Sequence, residues 1–166
     1  SGTLSGTQTV AAVNGVATFN DLSINKTGSG YTLQATATGL AADTSDPFNI
    51  TPAAATKLAF GVQPANTVAG VSITPAVTVR ILDAFDNLVT SATDNISLDI
   101  ENDASVLGDA VLNGTTTVAA SGGIATFSNL NIQKSGTGYT LMATAASLDQ
   151  AESAAFNITP AAANKL

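Results

Sequence analysis

The sequence predicts an all-β chain of β-sandwich repeats in tandem, with a period of 108 residues. Three observations predict it. Residues 1–58 can be laid on residues 109–166 at a constant offset of 108 with no gap, and about 34 of the 58 positions are identical. Apolar residues recur at every second position, the period of a half-buried strand. Helix signals are missing: the apolar spacing is 2, and Thr and Val outnumber the good helix formers Leu, Glu and Lys.

A period of 108 exceeds the roughly 20–50 residues of helical solenoid repeats. It suits one self-contained sandwich of about 100 residues. Residues 1–52 then read as the C-terminal half of one repeat and 53–56 as a linker. Residues 57–160 read as a complete repeat, and 161–166 as a linker and the start of the next, where Lys165-Leu166 repeats Lys57-Leu58. On this reading the chain is a window on a longer array.

The elements follow in order. Gly15-Val-Ala-Thr-Phe19 and Gly28-Ser-Gly-Tyr-Thr-Leu33 are the clearest repeated blocks, matching Gly123–Phe127 and Gly136–Leu141, and Phe48-Asn-Ile-Thr-Pro-Ala-Ala-Ala55 recurs letter for letter at Phe156–Ala163. Thr51–Thr56 is short and holds Pro52 without Gly, so it predicts a stiff joint and an extended rod. Leu58, Phe60 and Val62 alternate with Lys57, Ala59 and Gly61. The same alternation runs through Val77, Val79 and Ile81, through Ile96, Leu98 and Ile100, and through Tyr139, Leu141 and Ala143. Phe156 and Ile158 flank an outward Asn157. Each strand thus has one apolar face, as two sheets packed face to face require. Asp83–Asn87, Ser121–Gly123 and Ser135–Gly138 supply turn residues between them. Phe127 to Leu130 breaks the alternation by one residue, which predicts a β-bulge. Leu58, Phe60, Val77, Val79, Ile81, Phe127, Leu130, Tyr139, Leu141 and Phe156 are the expected core.

Tyr139 opens a late strand after a Gly-rich corner, and Tyr31 holds the same place in the half repeat; both look like the tyrosine corner of Ig-like sandwiches. Asp83-Ala-Phe-Asp-Asn87-Leu-Val, Gly123-Ile-Ala-Thr-Phe127 and Gly138-Tyr-Thr-Leu-Met-Ala-Thr144 together resemble the bacterial Ig-like repeats of invasin- and intimin-type surface proteins. That family usually has Asp-x-x-Gly-Asn at the first motif; here Asp86 stands at the Gly position. The resemblance implies an Ig-like antiparallel β-sandwich on the outside of a prokaryotic cell, working as a spacer, stalk, adhesin or filament repeat. Neighbouring identical repeats or subunits are the implied partners.

Charge and composition exclude other classes. Twelve acidic against five basic residues give a net charge of −7, too few cations to neutralise a nucleic-acid backbone. No stretch approaches the roughly 18–20 apolar residues of a membrane span. There is no Cys and no His, which removes disulfides, thiol chemistry, ordinary zinc sites and the commonest general base. With no His to activate a Ser, no Trp to line a sugar cleft and both Tyr in corners, no enzyme is expected.

The remaining candidates are weighed against plain structural roles. Asp83, Asp86 and Asn87 share one turn, and Glu101 and Asp103 lie at another; both offer the hard oxygens Ca²⁺ takes. Asp and Asn are also the favoured turn residues, and the structural role is preferred, with no cofactor expected beyond calcium. Lys57 and Asn157 lie on the strands that an intramolecular isopeptide bond would join, but strand parity points both away from the core. Asn49 and Asn157 fit the N-glycosylation pattern on outward positions. Tyr31, Tyr139, Phe60, Phe127 and Phe156 are read as structural. Two alternatives stand beside the spacer. One is a filament subunit completed by strand exchange between chains; the other is a module binding a glycan or host protein through sandwich-end loops, with Phe85 as its aromatic candidate.

Overall fold

The computed structural model describes residues 2–163, so the part of the expected next repeat at 164–166 lies outside the described residues. Every regular element among them is a strand. The chain divides into two compact units, Ser1–Ala53 and Ala54–Leu166.

The first unit holds β1 (Leu4–Ser5), β2 (Ser23–Ile24), β3 (Gly28–Tyr31), β4 (Gln34–Ala35), β5 (Asp43–Thr44) and β6 (Phe48–Ile50). They form three antiparallel pairs, β1–β2, β3–β6 and β4–β5. The second unit begins with β7 (Ala55–Val62), β8 (Thr67–Val68), β9 (Val77–Asp83) and β10 (Asn95–Asn102). It continues with β11 (Leu112–Asn113), β12 (Thr117–Ala119), β13 (Ile124–Phe127), β14 (Asn131–Ile132), β15 (Gly136–Thr144), β16 (Ala151–Glu152) and β17 (Phe156–Thr159). One sheet has the order β13-β9-β7. A six-stranded sheet has the order β12-β10-β15-β17-β8, with β16 added on β15, and β11 pairs with β14 separately. Among the described residues the pairings between strands are antiparallel except β17 with β8, which places Ile158 beside Thr67; Lys57 also forms a parallel bridge with Asp149.

The period-2 pattern explains these strands. In β9, Val77, Val79, Ile81 and Asp83 are fully buried while Thr78, Arg80 and Leu82 turn outward to varying degrees. Ile96 and Leu98 of β10, Tyr139, Leu141 and Ala143 of β15, and Phe156 and Ile158 of β17 do the same in the six-stranded sheet. The inward faces of the two sheets contribute to one hydrophobic cluster. Each large apolar side chain so buried stabilises by about 1.5–3 kcal/mol relative to exposure.

Several expectations are corrected. The first strand of the second unit starts at Ala55, inside the expected 53–56 linker, because Ala55 pairs across to Asp83. Phe127–Leu130 is not a bulge: β13 ends at Phe127 and the chain moves to a different sheet at Asn131, burying Leu130 and Ile132 on the way. Gly136–Gly138 is not a free turn but the start of β15, where the register shifts between Thr137 and Tyr139; Gly138 takes φ 94°, which its missing Cβ permits. Phe60, expected in the core, is half-buried and packs against its edge. Ser121–Gly123 does form a tight turn, closed by the Ser121–Ile124 bridge.

Candidate functional site

The two acidic turns hold the residues weighed as calcium ligands and preferred as turn residues. Asp83 is fully buried at the end of β9. Its Oδ1 accepts from the amides of Phe85 and Asn87, both at 2.9 Å, and its Oδ2 from Asn87 Nδ2 at 2.9 Å. Asp86 sits at φ 63° and its Oδ1 lies 2.6 Å from Lys57 Nζ. The turn is therefore folded around one carboxylate that local donors already occupy. Asp103 is built alike: Oδ1 accepts from Ser105 N and Oδ2 from Ala110 N, both at 2.9 Å. The bond from the Ser105 amide, then its hydroxyl, holds the Asp103 carboxyl below its ordinary value, with Ala110 adding to this against a small desolvation. Glu101 is exposed. Among the described residues no three acidic side chains converge as metal ligands would.

The two tyrosines take identical roles. Tyr139 donates its hydroxyl to the Lys134 carbonyl at 3.0 Å, and Tyr31 to the Lys26 carbonyl at 3.1 Å. Their rings lie against Phe156 and Phe48 at 6.0 and 6.2 Å between centroids, within the range of favourable aromatic pairs. Burial raises the Tyr139 hydroxyl above its ordinary 10.0, helped by the nearby charges of Asp103 and Asp109 and opposed by a bond with Ser105. Asn49 and Asn157, the two glycosylation candidates, brace these corners. Asn157 Oδ1 accepts from Gly138 N at 3.0 Å, and Asn49 Oδ1 from Gly30 N at 3.1 Å. Asn157 is half-buried, so it is less outward than strand parity predicts. Lys57 reaches Asp86, not Asn157.

The recurrence at offset 108 extends to individual bonds. Leu4 pairs with Ile24 as Leu112 does with Ile132. Leu33 N donates to Ser45 Oγ, and Leu141 N to Ser153 Oγ, both at 2.9 Å. Thr7 N donates to Asp21 Oδ1, and Thr115 N to Asn129 Oδ1, again both at 2.9 Å. The hydroxyls reverse polarity there. Thr7 Oγ1 donates to the Asp21 carboxylate, whereas Asn129 Nδ2 donates to Thr115 Oγ1. The Thr7 amide and hydroxyl accordingly hold the Asp21 carboxyl below its ordinary value.

Burial does not recur. Phe127 is 1% exposed and Phe19 is 42% exposed. Leu130, Ile132, Tyr139, Leu141, Phe156 and Ile158 are buried; Leu22, Ile24, Tyr31, Leu33, Phe48 and Ile50 are only half-buried. No residue from 2 to 53 is buried. Leu4, Leu22, Ile24, Leu33, Phe48 and Ile50 instead line an open apolar groove. In the second unit the equivalent face packs against Leu58, Ile73, Val77, Val79, Ile81, Ile96 and Leu98 in one cluster.

Sequence reasoning missed two features. Gln63 Oε1 accepts from Ala154 N at 2.9 Å and Asn66 Oδ1 from Asn157 N at 2.7 Å, so these side chains substitute for a strand along the edge next to β17. The interruption of alternation around Pro64 was the available signal. Val106 and Leu107, 95% and 79% exposed, stand out on the loop after Asp103, where no periodicity flags them. Phe85, the aromatic candidate for recognition, is 50% exposed. No protein-family model matches the chain, and no curated protein matches it either.

Proposed function

We propose that this chain is a segment of a tandem array of Ig-like β-sandwich repeats from an extracellular prokaryotic stalk, adhesin or filament, whose work is extension and spacing. On this reading residues 1–52 are the C-terminal half of one repeat, 57–160 a complete repeat, and 161–166 lead to the next. The observation that carries it is the recurrence of the corner framework at offset 108: the Tyr hydroxyl to a carbonyl five residues back, the Asn carboxamide on the corner Gly, and the Ser on the Leu amide. The strand order supports the Ig-like part. An Ig-type sandwich puts its first, second, fourth and fifth strands in one sheet and its third, sixth and seventh in the other. Here β7, β9 and β13 take the places of the first, second and fifth strands in one sheet, β10, β15 and β17 those of the third, sixth and seventh in the other, and β12, in the fourth place, pairs with β10 instead. The net charge of −7 suits side-by-side rods that repel one another. The cell-surface setting comes from the resemblance of the Asp83–Val89, Gly123–Phe127 and Gly138–Thr144 motifs, and protease shaving of intact cells tests it.

The experiment for the array is the intact mass of the native protein after full denaturation. A mass well above 16.4 kDa, in steps of one repeat, is expected. A mass near 16.4 kDa would replace the covalent array with subunits that complete one another by strand exchange, the second reading, which the open apolar face of the first unit favours.

A further inference from the structure

The second unit leaves apolar side chains uncovered at both of its ends. β17 leaves the unit at Thr159, and the strand register fixes which residues share that end. Thr159 pairs with Val68, Ile158 with Gly136, and Gly136 bridges to Ser105. The turn after Val68, closed by Val71 N on Val68 O at 3.0 Å, and the loop after Ser105 therefore stand around the exit of the chain. Val68, Val71, Val106 and Leu107 are 40%, 53%, 95% and 79% exposed there. The Ser105 loop is braced from within. Asp103 accepts from Ser105 N and Ala110 N, Ser105 Oγ from Asp109 N at 3.2 Å, and Ser105 O from Gly108 N at 3.4 Å. Asp109 is tied in turn to Lys134 at 3.0 Å. At the opposite end Ala55 pairs with Asp83. Phe85 stands there on the turn that Asp83 centres, the one exposed aromatic ring among the described residues of this unit.

A loop held in one shape with its apolar tips in water is organised for contact, since little ordering entropy is left to lose on docking. From this we infer that the exit end docks the entry end of the following repeat, with Val106 and Leu107 packing on the Phe85 turn of that repeat. The inference rests on the repeat reading above and names the contact between successive repeats. The connector singles out this occupant. Pro160-Ala-Ala-Ala163 repeats Pro52-Ala-Ala-Ala55, and β7 begins at Ala55. The step from Thr159 to the first residue of the next β7 is four residues, at most about 14 Å when fully extended. Ala55 lies directly opposite Asp83, so the next Asp83–Asn87 turn arrives at the same place as the next first strand. A tether this short sets a local concentration of about millimolar or above, at which weak apolar contacts close a joint. A partner outside the array has no such advantage.

The chain contains no Cys, so one introduced thiol reports on this end alone. The test lengthens the full chain by one repeat, joining residues 59–160 after Leu166, and places Val106→Cys in the original residues. We expect its reaction with a maleimide to slow by about tenfold or more relative to the same substitution in the unlengthened chain, as in a joint closed about nine-tenths of the time. Phe85→Ala in the added repeat changes an exposed side chain and should restore the fast rate. Asp99→Cys, exposed in the middle of β10, should react alike in the two lengths of chain. An unchanged rate at Val106→Cys, slowing that survives Phe85→Ala, or equal slowing at Asp99→Cys would each overturn the inference; the first would leave Val106 and Leu107 to a partner outside the array. The native mass decides the repeat reading separately. Unchanged reactivity together with a mass in repeat steps would remove the docking and keep the array.

Discussion

Replacing Tyr139 with Phe removes one hydroxyl and leaves the ring against Phe156 in place. The hydroxyl donates to the Lys134 carbonyl at 3.0 Å from a residue with no exposed surface. A hydrogen bond is worth about 0.5–1.5 kcal/mol net, and this one ends on the carbonyl of an exposed residue. Tyr139→Phe should therefore lower the stability of the second unit by about 1 kcal/mol near neutral pH. Tyr31→Phe removes the same bond, at 3.1 Å, from a half-buried ring that water reaches, and should cost at most about 0.5 kcal/mol. A pH arm makes the argument sharper. Burial and the Asp103 and Asp109 charges raise the Tyr139 hydroxyl above 10.0, so from that pH the unfolded chain releases a proton that the folded one keeps. The stabilising contribution is full below 10.0 and declines as pH rises toward the folded value. The Phe variant has no such proton, so the gap between the two proteins narrows as pH rises above 10.0. Urea unfolding by circular dichroism, with exchange at Leu141 and Ile158 to isolate the second unit, reads both effects. Equal costs for the two Tyr→Phe variants, or a gap that does not change with alkaline pH, would refute the reasoning.

Asp83→Ala strips an acceptor from two backbone amides and the Asn87 carboxamide, and should cost the second unit about 2–4 kcal/mol in urea titration. Calcium would have to displace those donors, so adding it should leave the thermal midpoint of the wild type unmoved in a calorimetric scan. The Asp103 carboxyl is depressed below 3.8, so its contribution is present above that pH and lost as pH falls through the lower folded value. The stability difference between wild type and Asp103→Asn should accordingly shrink on acidification below about pH 4, in thermal melts taken across that range. Phe127→Ala should cost about 3–5 kcal/mol as a core deletion, whereas Phe19→Ala should cost under about 1 kcal/mol; similar values for the two would contradict the difference in their burial.

The strand faces of the second unit were legible in its sequence because burial on one side imposes a period of 2, and β9 shows it without a break. The tyrosine pattern was legible for a similar reason: a Gly before an inward Tyr leaves few ways to satisfy the hydroxyl. The preference for a turn role at Asp83 over a calcium ligand came from residue types alone, and types do not say where lone pairs point. The Asp83 oxygens accept from Phe85 and Asn87 at the centre of the turn. Asp86 looked like a departure from the Asp-x-x-Gly-Asn pattern. Its φ of 63° keeps the backbone conformation that Gly would adopt, and Asp tolerates it better than most residues. The ion pair with Lys57 is then the gain that the side chain brings.

Burial in the first unit does not follow its sequence identity with the second, and the reason is physical. Hydrogen bonds within a corner join residues about 5–20 positions apart, so near-identical sequence reproduces them: Tyr31 to Lys26, Gly30 to Asn49, Thr7 to Asp21. Burial needs a second layer, and Val77, Val79, Ile81 and Leu98, which share the buried cluster with Phe127 and Tyr139, lie outside the matching segments. Local identity therefore fixes the shape of the face at Phe19 and Tyr31 without fixing its exposure. The hydrophobic term scales with area removed from water, so it is largely unrealised in residues 2–53 and close to complete in the second unit. Two segments with the same corner bonds should thus differ widely in stability, with the first opening at low free energy and the second only by global unfolding.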